Sequence, residues 1–191
     1  MLKLPRTIRL DPSDTFVFER AAEPGEWAVS GAFVFWNHDP ATLGQKQRAA
    51  LRSGFLGIHS LGWSTLAIVT EATEADRQAA VERLAAQLGE KFGAPDLEAA
   101  RFAAEEEVAF AGSLCDHPPQ TLLAVQRIVE NGEIRERFRT LKPRQAAGDA
   151  DRLHAHARAF TFHEVEGDIE PEEEVDLLGL IRTDRTTTDR T

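Results

Sequence analysis

The dipeptide Asn131-Gly132 constrains this chain more than any other local feature. It stands between two β-prone stretches, 122–130 and 133–141, and Asn-Gly is the preferred centre of a two-residue type I′ hairpin because both positions require positive φ. A two-residue loop leaves one register. Val129 then faces Ile134, Arg127 faces Glu136, Val125 faces Phe138 and Leu123 faces Thr140, on a mostly apolar side that should meet helices. The other side pairs Ile128 with Arg135, Gln126 with Arg137 and Ala124 with Arg139. A β-ribbon that carries three arginines on its outward face is the expected result.

Two helices are expected to precede this ribbon. Thr73-x-x-Asp76 resembles a capping box, and Val81, Leu84, Ala85, Leu88 and Phe92 follow on one stripe until Gly93 and Pro95 close it. A second helix over 96–114 aligns Leu97, Ala100, Ala104, Val108, Ala111 and Cys115, so the short linker implies an antiparallel pair. Earlier, residues 4, 7–10 and 15–20 read as strands around the turn composition Asp11-Pro12-Ser13-Asp14. Residues 27–36 read as a strand with apolar residues on both faces. Asp39-Pro40 reads as the start of a helix running to Ser53, residues 55–62 as a glycine-punctuated loop and 64–70 as a strand. After the ribbon, 142–151 reads as a loop, 157–166 as a strand and 172–181 as a short helix. The expectation is an α+β fold, a mainly antiparallel twisted sheet with two long helices on one face. It forms a single domain over 1–182, with a disordered tail at 183–191.

The totals narrow the function classes. At 191 residues with 42% hydrophobic content, the chain can bury a core without staples, and one cysteine, Cys115, excludes an internal disulfide framework. No signal-peptide-like or membrane-length apolar run occurs, so a cytoplasmic location without membrane association is expected. A formal net charge of −10 repels phosphate backbones, and nucleic acid is not an expected partner.

No P-loop, GxGxxG or HExxH is present. Gly57-Ile58-His59-Ser60-Leu61-Gly62 approaches a nucleophile elbow, but Ile58 stands where the first glycine is needed, and a connection between elements explains it more cheaply. His154 and His156 could chelate one ion if they lay on a strand; otherwise they are solvated. Cys115, followed by Asp116 and His117, sits at a helix C-terminus, where the dipole disfavours a thiolate. No cofactor is therefore expected. Trp27, Trp36, His38, His59 and Trp63 cluster in one half of the chain and could line an aromatic ligand pocket, although buried core rings are the ordinary alternative. Arg135, Arg137 and Arg139, with Lys142 and Arg144 close behind, form a guanidinium-rich strip suited to carboxylate or phosphate partners, or simply a charged, protected sheet edge. An acidic run, with Glu164, Glu166, Asp168, Glu170, Glu172, Glu173, Glu174 and Asp176, contains no Lys or Arg. It is a solvated face, a cover for the arginines or a patch for a partner.

Three segments also carry a resemblance. RTIRLDPSDTFVFERAAEPGEWAVSGAFVFW from Arg6, GFLGIHSLGWSTLAIVTEATEADR from Gly54 and SLCDHPPQTLLAVQR from Ser113 are similar to a small bacterial protein family of unknown function. Its association with molybdenum-dependent formate dehydrogenase genes and a biotin/lipoate ligase-like protein implies an accessory role in a metalloenzyme system. No functional residue carries over from it. The expectation is accordingly a non-enzymatic accessory or protein-binding domain with a protein partner, compatible with a homodimer. A ligand binder or enzyme using the aromatic cluster with His38 and His59 is the alternative.

Overall fold

The computed structural model describes residues 1–141. The expectations placed on Lys142, Arg144, His154 and His156, on the strand and helix after them, on the acidic run and on the tail lie outside the described residues.

The main sheet is antiparallel, with the order β1 (Lys3–Ile8), β5 (Leu66–Glu71), β6 (Leu122–Glu130) and β7 (Glu133–Leu141). A smaller antiparallel sheet joins β2 (Ala28–Val29), β3 (Phe55–Gly57) and β4 (Trp63–Ser64). Helices α3 (Glu74–Lys91) and α4 (Leu97–Ser113) pack against each other, and α4 lies against β1 and β2. The architecture is α+β, as the patterning implies.

The hairpin forms in the expected register, with Arg127 opposite Glu136 and Gln126 opposite Arg137. Asn131 and Gly132 have φ of 53° and 82°, the left-handed pair that a type I′ turn needs. Leu123 and Val125 are buried on its inner face with Phe55 and Cys115. The α3 capping box is also present: Thr73 Oγ1 accepts from Asp76 N at 3.1 Å, while the Asp76 carboxylate accepts from Thr73 N at 2.9 Å. Thr73→Ala is expected to lower the urea midpoint by an amount equivalent to about 1 kcal/mol, with far-UV circular dichroism unchanged in water. The stripes Val81, Leu84, Ala85, Leu88 and Ala100, Ala104, Val108, Ala111 are buried between the helices and the sheets, and the alanines on α4 allow close approach. Leu97 and Phe92, assigned to these stripes from sequence, are instead exposed near the helix ends.

The first third differs from the pattern reading, for non-local reasons. Residues 15–20 are not a strand; α1 (Ser13–Val17) forms there. Asp14 is buried and accepts from Thr65 Oγ1 at 2.6 Å and Thr65 N at 3.2 Å, and the helical turn sends Phe18 into the core while Phe16 stays in solvent. Residues 27–36 are not one strand either. Pairing stops at Val29, Gly31 adopts φ of 79°, and a 3-10 turn follows over Ala32–Phe35. A Cβ at Gly31 would lie 2.6 Å from Leu56 Cβ and 2.9 Å from the Trp63 ring, so only glycine fits this close approach.

The helix expected from Asp39 is interrupted. Asp39 does cap a 3-10 turn at Pro40–Thr42, accepting from Ala41 N at 2.9 Å, but Leu43 is extended and α2 (Gln45–Ser53) begins anew. The supposed loop 55–62 contains β3 and a tight turn. The strand read over 64–70 is divided between the two sheets, with Ser64 Oγ donating to Leu66 O at 2.7 Å at the junction.

Candidate functional site

β7 ends the main sheet, and no strand among the described residues pairs with its outer edge. Its side chains alternate. Ile134, Glu136 and Phe138 are partly buried, whereas Arg135, Arg137 and Arg139 are exposed. Arg135 Nη1 lies 3.2 Å from Glu130 Oε2, a surface pair worth well under about 1 kcal/mol. Arg137 and Arg139 have no acid within ion-pair distance among the described residues. In a two-residue hairpin the residues flanking the turn exchange both hydrogen bonds, and the pattern then alternates. By that alternation Ile134, Glu136, Phe138 and Thr140 direct their backbone N–H and C=O groups to the open edge.

Beneath this edge lies a polar cluster that anchors the ribbon to α2. The Arg127 side chain is fully buried, and its Nε donates to Glu136 Oε1 at 2.6 Å. Nη1 donates to Gly54 O at 2.8 Å and reaches Leu51 O and Ala50 O at 3.3 and 3.4 Å. These carbonyls belong to the α2 C-terminus, where the helix dipole is negative and the last acceptors lack partners within the helix, although Ala50 O also accepts from Gly54 N at 2.9 Å. Nη2 donates to Ser30 O and also lies 3.1 Å from Ser30 Oγ, which in turn donates to Glu136. One guanidinium thus ties β6 and β7 to α2 and the Gly31 turn. Burial pulls the guanidinium below its ordinary pKa, opposed by Glu136.

Glu107 completes the cluster from α4. One of its carboxylate oxygens is buried without a partner among the described residues. Burial first, then the Glu136 charge, pushes this carboxyl up to about 7, although Arg127 pulls the other way. Neither Arg127 nor Glu107 stood out in the sequence as a buried charge. The signals were there: an Arg–Glu pair inside the apolar face of the ribbon, and a glutamate seven residues beyond Ala100 and three beyond Ala104.

The aromatic cluster is only partly assembled. His38 and Trp63 line one cavity of about 190 Å³ together with Glu19, Val34, Phe35, Leu43, Lys46, Gln47 and Ala50. Trp27, Trp36 and His59 are not among its lining residues. Trp27 carries Arg6 over its ring at 3.6 Å, and Trp36 is 70% exposed. His59 sits in the β3–β4 turn, donating N–H to Glu26 at 2.6 Å and accepting from Gln87 Nε2 at 3.1 Å through its carbonyl.

Glu26 also accepts from Ser60 N at 2.8 Å and Ser60 Oγ at 2.5 Å. The serine of the elbow-like motif is therefore a clamp for the turn. Cys115 is buried, and burial pushes its thiol up to about 12, which leaves it a core residue without nucleophilic character at neutral pH. Among the described residues no group of three metal-ligating side chains forms, and no helix is long and apolar enough to cross a membrane.

The class that this geometry defines is an α+β protein with two small antiparallel sheets, a helical pair and a cationic sheet edge braced from within. The chain belongs to DUF6505, a family of unknown function whose sequence profile matches residues 1–159. Neither a curated protein nor a solved structure is a match.

Proposed function

We propose that this chain is a non-enzymatic accessory domain that binds a partner protein by receiving an acidic, extended segment along β7. The observation that carries this reading is the exposed row Arg135, Arg137 and Arg139 on a terminal strand with no pairing strand among the described residues. An added strand draws its affinity from backbone hydrogen bonds and its specificity from alternate side chains. Here the open backbone groups supply the first and the guanidinium forks the second, since they match carboxylates bidentately.

Charge favours an acidic peptide over nucleic acid, because the net charge of −10 opposes a phosphate polymer at longer range while leaving a local contact intact. It also disfavours a second copy paired edge to edge, which would set arginine rows near each other. The metalloenzyme setting implied by the resemblance supplies the first class of partners to examine.

The reading is tested with a fluorescently labelled alternating Glu-Val peptide and its Gln-Val counterpart, followed by anisotropy at low and high salt. The Glu-Val peptide is expected to bind, and Arg135→Glu/Arg137→Glu/Arg139→Glu is expected to weaken it at least about tenfold. Added salt should weaken the wild-type complex, because exposed charges are screened within about 10 Å at 0.1 M. Equal binding of both peptides, or a triple variant that binds as the wild type does, overturns the reading.

A further inference from the structure

We infer that the cavity between Trp63 and α2 is a binding site for a small zwitterion, an α-amino acid with an apolar side chain. This goes beyond the partner-binding reading and stands independently of it. The cavity, of about 190 Å³, has an apolar floor of Phe35 and Trp63, whose rings stack with centroids 5.3 Å apart, and Leu43 and Ala50 beside them. Around it stand four polar side chains; Gln47 Oε1 already accepts from Gly44 N at 3.1 Å, which leaves three, Glu19, His38 and Lys46. None of the three has a hydrogen-bond or ion-pair partner among the described residues, and Glu19 and Lys46 do not pair with each other across the opening.

One unspent cation, one unspent anion and an imidazole around an apolar floor complement a ligand with a carboxylate at one end, an ammonium at the other and a hydrocarbon body. The cavity, of about 190 Å³, holds roughly six waters at about 30 Å³ each, which suits leucine or phenylalanine.

The floor is rigid. Trp63 is held by its backbone, with Trp63 N donating to Arg20 O at 2.8 Å and Ala22 N donating to Trp63 O at 2.9 Å. Its ring is pressed between Gly31 and Gly54, where a Cβ would lie 2.9 and 2.7 Å from ring atoms. The opposite wall, Lys46 to Ala50, belongs to α2, whose C-terminus Arg127 anchors. A site on rigid elements loses little entropy on binding. The larger cavity at the N-terminus, about 300 Å³, lacks this logic. Its cations are already engaged, Lys3 Nζ with His117 O at 2.6 Å and Arg77 with Glu74 at 2.5 Å.

The experiment follows the Trp63 indole N–H by NMR as L-leucine and L-phenylalanine are titrated into the full chain. The truncated analogues isoamylamine and 4-methylpentanoate are titrated alongside. Saturable shifts of the Trp63 signal by an amino acid in the millimolar range are expected, with each truncated analogue at least about tenfold weaker. Lys46→Met should remove the preference for the carboxylate, and Glu19→Gln the preference for the amine. Both side chains are exposed, so neither change threatens folding. No saturable shift up to about 10 mM, or shifts that the two variants leave unaltered, would overturn the assignment. So would truncated analogues that bind equally well.

Discussion

Arg127→Met is expected to cost about 3–5 kcal/mol of stability, enough to leave much of the protein unfolded at 37 °C. The guanidinium satisfies Glu136, the Ser30 carbonyl and the carbonyls that end α2 in one stroke. Its loss strands a carboxylate of which only 16% is exposed, together with several buried acceptors that water cannot reach. Methionine fills a similar volume, so the effect reports charge and hydrogen bonding rather than a cavity. Urea unfolding followed by tryptophan fluorescence measures it. A second variant separates broken pairing from general intolerance: Arg127→Met/Glu136→Leu removes both charges and should recover a large part of the loss. A single variant as stable as the wild type would mean that the cluster does not brace the ribbon.

The next largest effect is expected at Glu107, and it depends on pH. Its carboxyl lies at about 7 in the folded protein against an ordinary 4.5. The native state therefore holds this proton more tightly than the unfolded chain does. For a carboxyl raised in this way, the stabilising contribution is present below the unfolded value and is lost as pH rises through about 7. The shift corresponds to about 3 kcal/mol as a ceiling, at about 1.36 kcal/mol per pH unit, and partial access to water reduces it.

The groups that set the value are Glu136 on β7, Arg127 on β6 and Glu106 on α4 itself. Glu107→Gln should accordingly be more stable than the wild type at pH 8 and similar to it at pH 4.5. Urea midpoints of both proteins from pH 4.5 to 8 provide the check. Asp11, Asp76, Glu74 and Glu82 have lowered values and slope the opposite way in acid, but they do so equally in both proteins. Parallel curves for wild type and variant would show that Glu107 is not held protonated by its surroundings.

The elements legible in the sequence are those whose cause is local. Asn131-Gly132 specifies its own turn and therefore the whole β6–β7 register, and Thr73 with Asp76 specifies where α3 begins. Those two motifs need nothing from the rest of the chain. The elements misread depend on distant residues. Residues 15–20 carry β-prone side chains, yet Thr65, more than forty positions away, rewards a helical turn at Asp14. The apolar run at 27–36 has strand composition, but Trp63 and Leu56 crowd Gly31 and bend the chain there.

The same division holds for the candidate sites. Register alone puts Arg135, Arg137 and Arg139 on one face, so the strip could be read directly. The ribbon register puts Arg127 on the apolar face, but that its guanidinium is satisfied there depends on α2 delivering its carbonyls, which no pattern in 122–130 announces. Likewise His38 and Trp63 line one cavity, each against Phe35, where the 3-10 turn at Ala32–Phe35 replaces a strand and leaves Trp36 in solvent.

The central claim is that the open side of β7 accepts an acidic strand, and amide hydrogen exchange tests it most directly. With the Glu-Val peptide bound, the amides of Ile134, Glu136, Phe138 and Thr140 should exchange markedly more slowly, while those of Arg135, Arg137 and Arg139, already bonded to β6, should change little. Protection confined to other parts of the protein, or none along β7 at saturating peptide, would contradict it.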